Sequence, residues 1–175
     1  MILKSLNKLK KNNKGSSSIE MVISVLIFIL LLCFLLDLLI LSWKFSVISQ
    51  TTTQVARIAG IQGGVLSRAP SGWAGGSENY ITAKEMDNMI RDKFASAKIP
   101  TTDYEFRVGN GIIGGTTVKP SREYDYKTDF DISVTVNYRW DFVSNFIPGN
   151  LKQSITSKRI AMSEWKYNYN DWIGE

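Results

Sequence analysis

The sequence predicts an α+β protein: a long N-terminal transmembrane helix that continues outside the membrane, plus one amphipathic helix packed on a small antiparallel β-sheet. Three observations predict it. Residues 21–43 form an apolar run whose single charge is Asp37. Residues 82–98 place Met86, Met89, Ile90, Phe94 and Ala97 on one helical face. Residues 130–142 alternate between apolar side chains (Phe130, Ile132, Val134, Val136, Tyr138, Trp140, Phe142) and polar ones, the pattern of a strand with one buried face.

The chain starts with a basic segment. Lys4, Lys8, Lys10, Lys11 and Lys14 supply five of its 21 basic residues, with no acid among them. The rest of the chain then holds 16 basic against 16 acidic residues and is formally neutral. A nucleic-acid-binding protein concentrates its basic residues on the folded domain. Here they stand before an apolar run, where they act as a topology signal that keeps the N-terminus in the cytoplasm. No direct nucleic-acid partner is expected.

The run over 21–43 exceeds the ~20 apolar residues that a helix needs to cross a bilayer. It is longer than the apolar segment of a cleaved secretory signal and ends in Ser42-Trp43-Lys44, without a small-residue cleavage site. The helical pattern then continues. Residues 46–62 contain no proline, and Val47, Thr51, Val55, Ile58 and Gln62 fall at helical spacing, with Val55, Ile58 and Ala59 as the apolar stripe. Gly63-Gly64 is a stop signal. A helix from Ser17 to Gln62 has 46 residues and a length of roughly 70 Å at ~1.5 Å per residue. Its outer third needs support, either from its own domain or from neighbouring copies.

Two acids sit where acids are costly. Glu20 lies at the mouth of the apolar run and Asp37 inside it; a carboxylate at a bilayer centre costs about 2.5–3.5 kcal/mol on insertion scales. Ser17-Ser18-Ile19-Glu20 has the spacing of a capping box, which gives Glu20 a local role at a helix start. Asp37 has a bland reading too, at the outer headgroups of a thin or tilted span. A third reading couples the acid to processing. A cut after Gly15 would give Ser16 a free amine at the same helix end as Glu20, so that Glu20 of one copy pairs with the amine of the next.

Residues 63–79 are rich in Gly, Ser and Pro and read as a loop. Thr82-Ala83-Lys84-Glu85 is a second capping-box pattern, opening a helix over 82–98 that Pro100 ends. Residues 104–108 and 112–119 make a weaker hairpin about Asn110-Gly111, a type I′ turn pair. Pro148-Gly149-Asn150 turns the long strand, and residues 152–165 return beside it. Gly109-Asn110-Gly111-Ile112-Ile113-Gly114 matches G-x-G-x-x-G, but a strand and turn follow where a dinucleotide site needs a helix. Residues 165–172 are densely aromatic, as either a tail folded onto the sheet or a docking surface.

Catalytic and metal chemistry find few players. The chain has no histidine, and its one cysteine, Cys33, is inside the apolar run. That removes the commonest general base and the commonest metal ligand. No calcium-loop spacing occurs. The expectation is no catalytic residue, no metal site and no cofactor.

The segment Lys14-Gly15-Ser16-Ser17-Ser18-Ile19-Glu20, followed at once by the apolar run, resembles the processing site of type IV prepilins. More narrowly, it is similar to TadE-like minor pilins of tight-adherence systems. Those carry a second acid 17 residues after the first, as Asp37 stands to Glu20, and an Ala/Arg/Gly-rich continuation, here Gln54-Val55-Ala56-Arg57-Ile58-Ala59-Gly60. Met21 departs from the aromatic usual after the glutamate, and Asp37 from the usual second glutamate. Related pilin-like proteins of Gram-positive secretion, competence or conjugation systems share the pattern. The resemblance implies cleavage by a prepilin peptidase between Gly15 and Ser16, and an assembly role for Glu20 and Asp37. Its partners would be other pilin subunits, in homo- or hetero-oligomers, and the cytoplasmic membrane. The expected layout is a leader over 1–15, a membrane and assembly helix over 16–45, its extracytoplasmic continuation over 46–62, a loop over 63–80 and an outer α+β domain over 81–175. The alternative is an unprocessed bitopic membrane protein with an extracytoplasmic binding domain.

Overall fold

The computed structural model describes residues 14–71, 73, 77–140, 142, 143, 146 and 152–165. They form α1 (Lys14–Gln62), α2 (Ala83–Ser96) and four strands, β1 (Tyr104–Val108), β2 (Gly111–Gly114), β3 (Asp129–Arg139) and β4 (Lys152–Met162). The α+β expectation holds: one long apolar helix, one short amphipathic helix and an antiparallel sheet in the order β2-β1-β3-β4. The chain divides into two compact units, Met1–Ile40 with Trp140–Leu151, and Leu41–Arg139 with Lys152–Glu175.

α1 is one uninterrupted helix of 49 residues, about 74 Å long at 1.5 Å per residue. Ser17 and Glu20 both lie inside it, so the capping-box reading of that pair gives way to a helix that is already running at Lys14. The stop at Gly63-Gly64 is built as anticipated. The Gly64 N–H donates to the Ala59 carbonyl at 2.8 Å and the Gly63 N–H to the Gly60 carbonyl at 3.3 Å. With Gly63 at φ 66°, this is a Schellman motif.

In the second unit the distal part of α1 buries Ile48, Val55 and Ala59, with Thr51 and Thr52 beside them. The two threonine hydroxyls donate to the carbonyls of Val47 and Ile48, so neither brings an unsatisfied group into the core. The support this helix needs therefore comes from its own domain. α2 adds Ala83, Met86, Ile90 and Phe94, and the sheet adds Phe106, Val108, Ile113, Phe130, Ile132, Val134 and Val136 to the same apolar cluster.

The Thr82–Glu85 capping box is present in full. The Thr82 hydroxyl accepts the Glu85 N–H, and the Glu85 carboxylate accepts the Thr82 N–H at 2.8 Å. α2 ends in a second Schellman pattern, with Ile99 N–H donating to Phe94 O and Lys98 N–H to Ala95 O, each at 2.9 Å. Here Lys98, not glycine, takes the left-handed position at φ 54°.

The sheet corrects three boundaries. β3 alternates as expected, with Phe130, Ile132, Val134, Val136 and Tyr138 buried, but it stops at Arg139 rather than running on to Phe142. β4 pairs with β3 along its whole length, Asp129 opposite Met162 through Arg139 opposite Lys152, and stops short of Trp165. In the β1–β2 hairpin Val108 pairs with Gly111, so the turn residues are Gly109-Asn110 instead of Asn110-Gly111. Positive φ at the first central residue, Gly109, is the mark of a type II′ turn rather than the expected type I′. A side chain at 109 would collide with Tyr124, whose hydroxyl would be 1.6 Å from the added carbon. The G-x-G-x-x-G stretch is this hairpin, with no helix opening from it.

Candidate functional site

Two regions of the chain hold the residues singled out by the sequence. The first is the proximal part of α1. Its Leu, Ile, Val and Phe residues form a helix with no proline to break it, and almost none of that surface is covered. Ile19, Met21, Val22, Phe28 and Leu39 are each exposed by well over half. An 18-residue window of this kind, 6% buried, meets the length and composition needed to cross a membrane. One of its few polar groups, the Ser24 hydroxyl, is satisfied within the helix by donating to the Glu20 carbonyl at 2.8 Å. Gly15 and Ser16 lie in the first turn of α1, one turn before Glu20, whose side chain is exposed. Gly15, Ser16 and Glu20 thus share one helix end.

The second region is Asp37. Its side chain is fully buried. The Val143 N–H donates to Oδ2 at 2.8 Å, and the Phe142 N–H is shared between Oδ1 and Oδ2 at 3.2 Å each. One turn before Asp37, Phe34 stacks on Trp140, with ring centroids 5.9 Å apart and planes 7° from parallel. The chain that leaves β3 after Arg139 therefore folds onto this part of the helix, and two of its amides end on the carboxylate. Anionic acceptors make the stronger class of hydrogen bond, and a buried acid needs such partners. Asp37 lies 17 residues along the helix from Glu20 and is not brought together with the Gly15–Glu20 end.

The sequence does not single out Phe142 and Val143 as the partners of Asp37: the alternation over 130–142 makes Phe142 the last residue of a strand. A signal existed. Residues 142–151, between β3 and β4, carry no charged side chain.

Elsewhere the second unit offers open grooves rather than a pocket with converging chemistry. One, of about 500 Å³, is lined by Arg57, Gly60, Ile61, Arg159, Met162 and Glu164. Another, of about 750 Å³, lies among Leu66, Arg68, Pro70, Pro120 and Glu123. Among the described residues no group of three or more His, Cys, Asp or Glu side chains is placed to hold a metal ion. Of the aromatic C-terminal segment only Trp165 is within the described residues. Its ring meets Trp73 at 4.5 Å, and Trp73 meets Tyr80 edge-on at 5.2 Å. Burial holds the Tyr80 hydroxyl above its ordinary pKa, against the hydrogen bond it accepts from the Leu66 N–H.

Comparison with known proteins adds no relative: no family model, no curated protein and no solved structure matches this chain.

Proposed function

We propose that this chain is a pilin-like structural subunit, a minor pilin or pseudopilin. In this reading a prepilin peptidase cuts between Gly15 and Ser16. α1 crosses the cytoplasmic membrane with its N-terminus inside, and the α+β domain lies outside. The subunit then assembles, with copies of itself or with other pilins, into or at the base of a type IV-like or tight-adherence pilus, or a related secretion or conjugation apparatus. The observation that carries the reading is the joint placement of Gly15, Ser16 and exposed Glu20 at one end of a long helix whose proximal apolar surface is uncovered.

The chemistry follows from that placement. Cleavage would leave an ammonium group on Ser16 beside a carboxylate on Glu20. Neither charge enters an apolar surrounding cheaply alone, and the two neutralise each other when contributed by adjacent subunits. The exposed apolar side chains would exchange lipid for neighbouring helices during assembly, where close packing replaces the lipid contacts.

The test is coexpression with a prepilin peptidase. Wild-type chain is expected to lose its leader, and Gly15→Ala to stay full length. Equal size of the wild-type chain with and without the peptidase sinks the reading.

A second reading, an unprocessed bitopic protein with an extracytoplasmic binding domain, is favoured by one observation. Asp37 is engaged by amides of its own chain, so this acid has a role that needs no assembly.

A further inference from the structure

We propose that Trp140, Phe142, Val143 and Phe146, which follow β3, form an interfacial membrane loop, which Asp37 holds against α1 at the outer edge of the hydrocarbon layer. The proposal rests on α1 crossing a membrane, and four observations carry it beyond that reading.

The first is depth. Asp37 stands 17 residues beyond Glu20 on one unbroken helix, about 25 Å at 1.5 Å per residue. The hydrocarbon layer is ~30 Å thick. With Glu20 at the inner boundary, Asp37 comes to the outer one.

The second is the surface of the loop. Phe142 and Phe146 are 39% and 53% exposed, and Trp140 lies flat on Phe34 of the span. Trp concentrates at the boundary between headgroups and acyl chains, and exposed Phe side chains supply the apolar face of segments that lie in that boundary.

The third is charge. From 142 to 151 the sequence has no ionisable side chain, whereas Asp141 and Lys152 bracket it on either side. An uncharged stretch of this kind places no charge among Phe142, Val143 and Phe146, so none within it opposes their contact with a bilayer edge.

The fourth is backbone satisfaction. Irregular backbone is tolerated at membrane depth only where its polar groups find partners. The Phe142 and Val143 amides find them in Asp37. The relation works in both directions: the amides solvate a carboxylate that lipid would not, and the carboxylate closes two N–H groups that would otherwise need water. The outer-leaflet phospholipid interface is the occupant that this aromatic, uncharged surface fits.

Nitroxide quenching on the full chain tests this. In a Cys33→Ala background, Phe146→Cys and Ile27→Cys are labelled singly with an environment-sensitive fluorophore and reconstituted in dioleoylphosphatidylcholine vesicles. Lipids carrying a nitroxide at the 5 or 12 position of an acyl chain serve as quenchers. The 146 probe is expected to be quenched more by the shallow nitroxide, and the 27 probe more by the deep one. Adding Asp37→Ala should lower quenching at 146 at least twofold and leave 27 unchanged. Quenching at 27 with none at 146 overturns the proposal and leaves the span standing. Quenching at neither position removes both. Shielding at 146 that grows with the protein-to-lipid ratio assigns the surface to a second copy and also overturns it. Undiminished quenching at 146 in the Asp37→Ala chain removes Asp37 as the residue that holds the loop.

Discussion

The carboxylate of Asp37 accepts the backbone N–H of Val143 at 2.8 Å across 106 positions of chain. This contact ties an acid inside an apolar helix to the segment that leaves β3. Removing the acceptor strands two amides. Asp37→Ala should destabilise the full chain in detergent micelles by about 1–3 kcal/mol, the range for buried groups left without a partner. Asp37→Asn keeps a carbonyl acceptor and should lose less. Thermal unfolding followed by near-ultraviolet circular dichroism gives the order, and an alanine variant as stable as wild type contradicts it.

Lys98 occupies the left-handed position that closes α2, whereas α1 ends in the same motif with Gly63. An L-residue there costs roughly 1–2 kcal/mol, and the added freedom of a glycine in the unfolded chain offsets about 0.4–1 kcal/mol of the relief. Lys98→Gly should therefore raise stability by about 0.5 kcal/mol in denaturant unfolding. Gly64→Ala should act in the opposite sense and more strongly, because the added carbon would be 2.7 Å from the Arg122 carbonyl oxygen at φ 125°.

The α2 cap makes a prediction at acid pH. The Thr82 N–H, and then the Thr82 hydroxyl, hold the Glu85 carboxyl below its ordinary value of 4.5. A depressed folded-state pKa adds stability that is present above the unfolded value and lost as pH falls through the folded one. Glu85→Gln should flatten that part of the acid limb in unfolding measured from pH 6 to pH 2. Thr82→Ala should cost about 1 kcal/mol at neutral pH through loss of the N-cap.

Tyr104 buries its ring against Phe94, edge-on at 4.6 Å, and among the described residues its hydroxyl has no hydrogen-bond partner. Burial, and next the charge of Asp87, push its pKa above the ordinary 10.0. Below the unfolded value both states keep the proton and stability is unaffected; as pH rises past 10.0 the unfolded state ionises first, so stability falls until the folded value is passed. Tyr104→Phe should be neutral or mildly stabilising at pH 7, since it removes an unpaired polar atom. It should also unfold with less loss between pH 9 and pH 11. Phe94→Ala, by contrast, should cost about 3–5 kcal/mol as a core truncation.

What the sequence made legible depended on locality. The long helix, its glycine stop, the Thr82 cap and the alternation of β3 are set by residues within a few positions of each other. The same short pattern nevertheless had two outcomes. Thr82-x-x-Glu85 is a cap because its helix starts there, and Ser17-x-x-Glu20 is not because α1 is already formed at Lys14. The hairpin turn shifted by one residue because Tyr124 fills the space beside Gly109, and its hydroxyl accepts the Asn110 N–H at 3.2 Å. No local pattern records a tyrosine arriving from 14 positions away. The end of β3 was hidden in the same way: Trp140 and Phe142 keep the alternation, while the Phe142 amide goes to Asp37 instead of to a neighbouring strand. At the candidate site, Gly15, Ser16 and Glu20 were legible as a contiguous motif. The intramolecular partners of Asp37 were not.

The mature N-terminus tests the central claim most directly. Intact-mass and N-terminal peptide measurement on chain expressed with a prepilin peptidase should find Ser16 as the first residue. Chain that retains Met1 or its immediate neighbour in the presence of active peptidase would contradict the pilin-like reading.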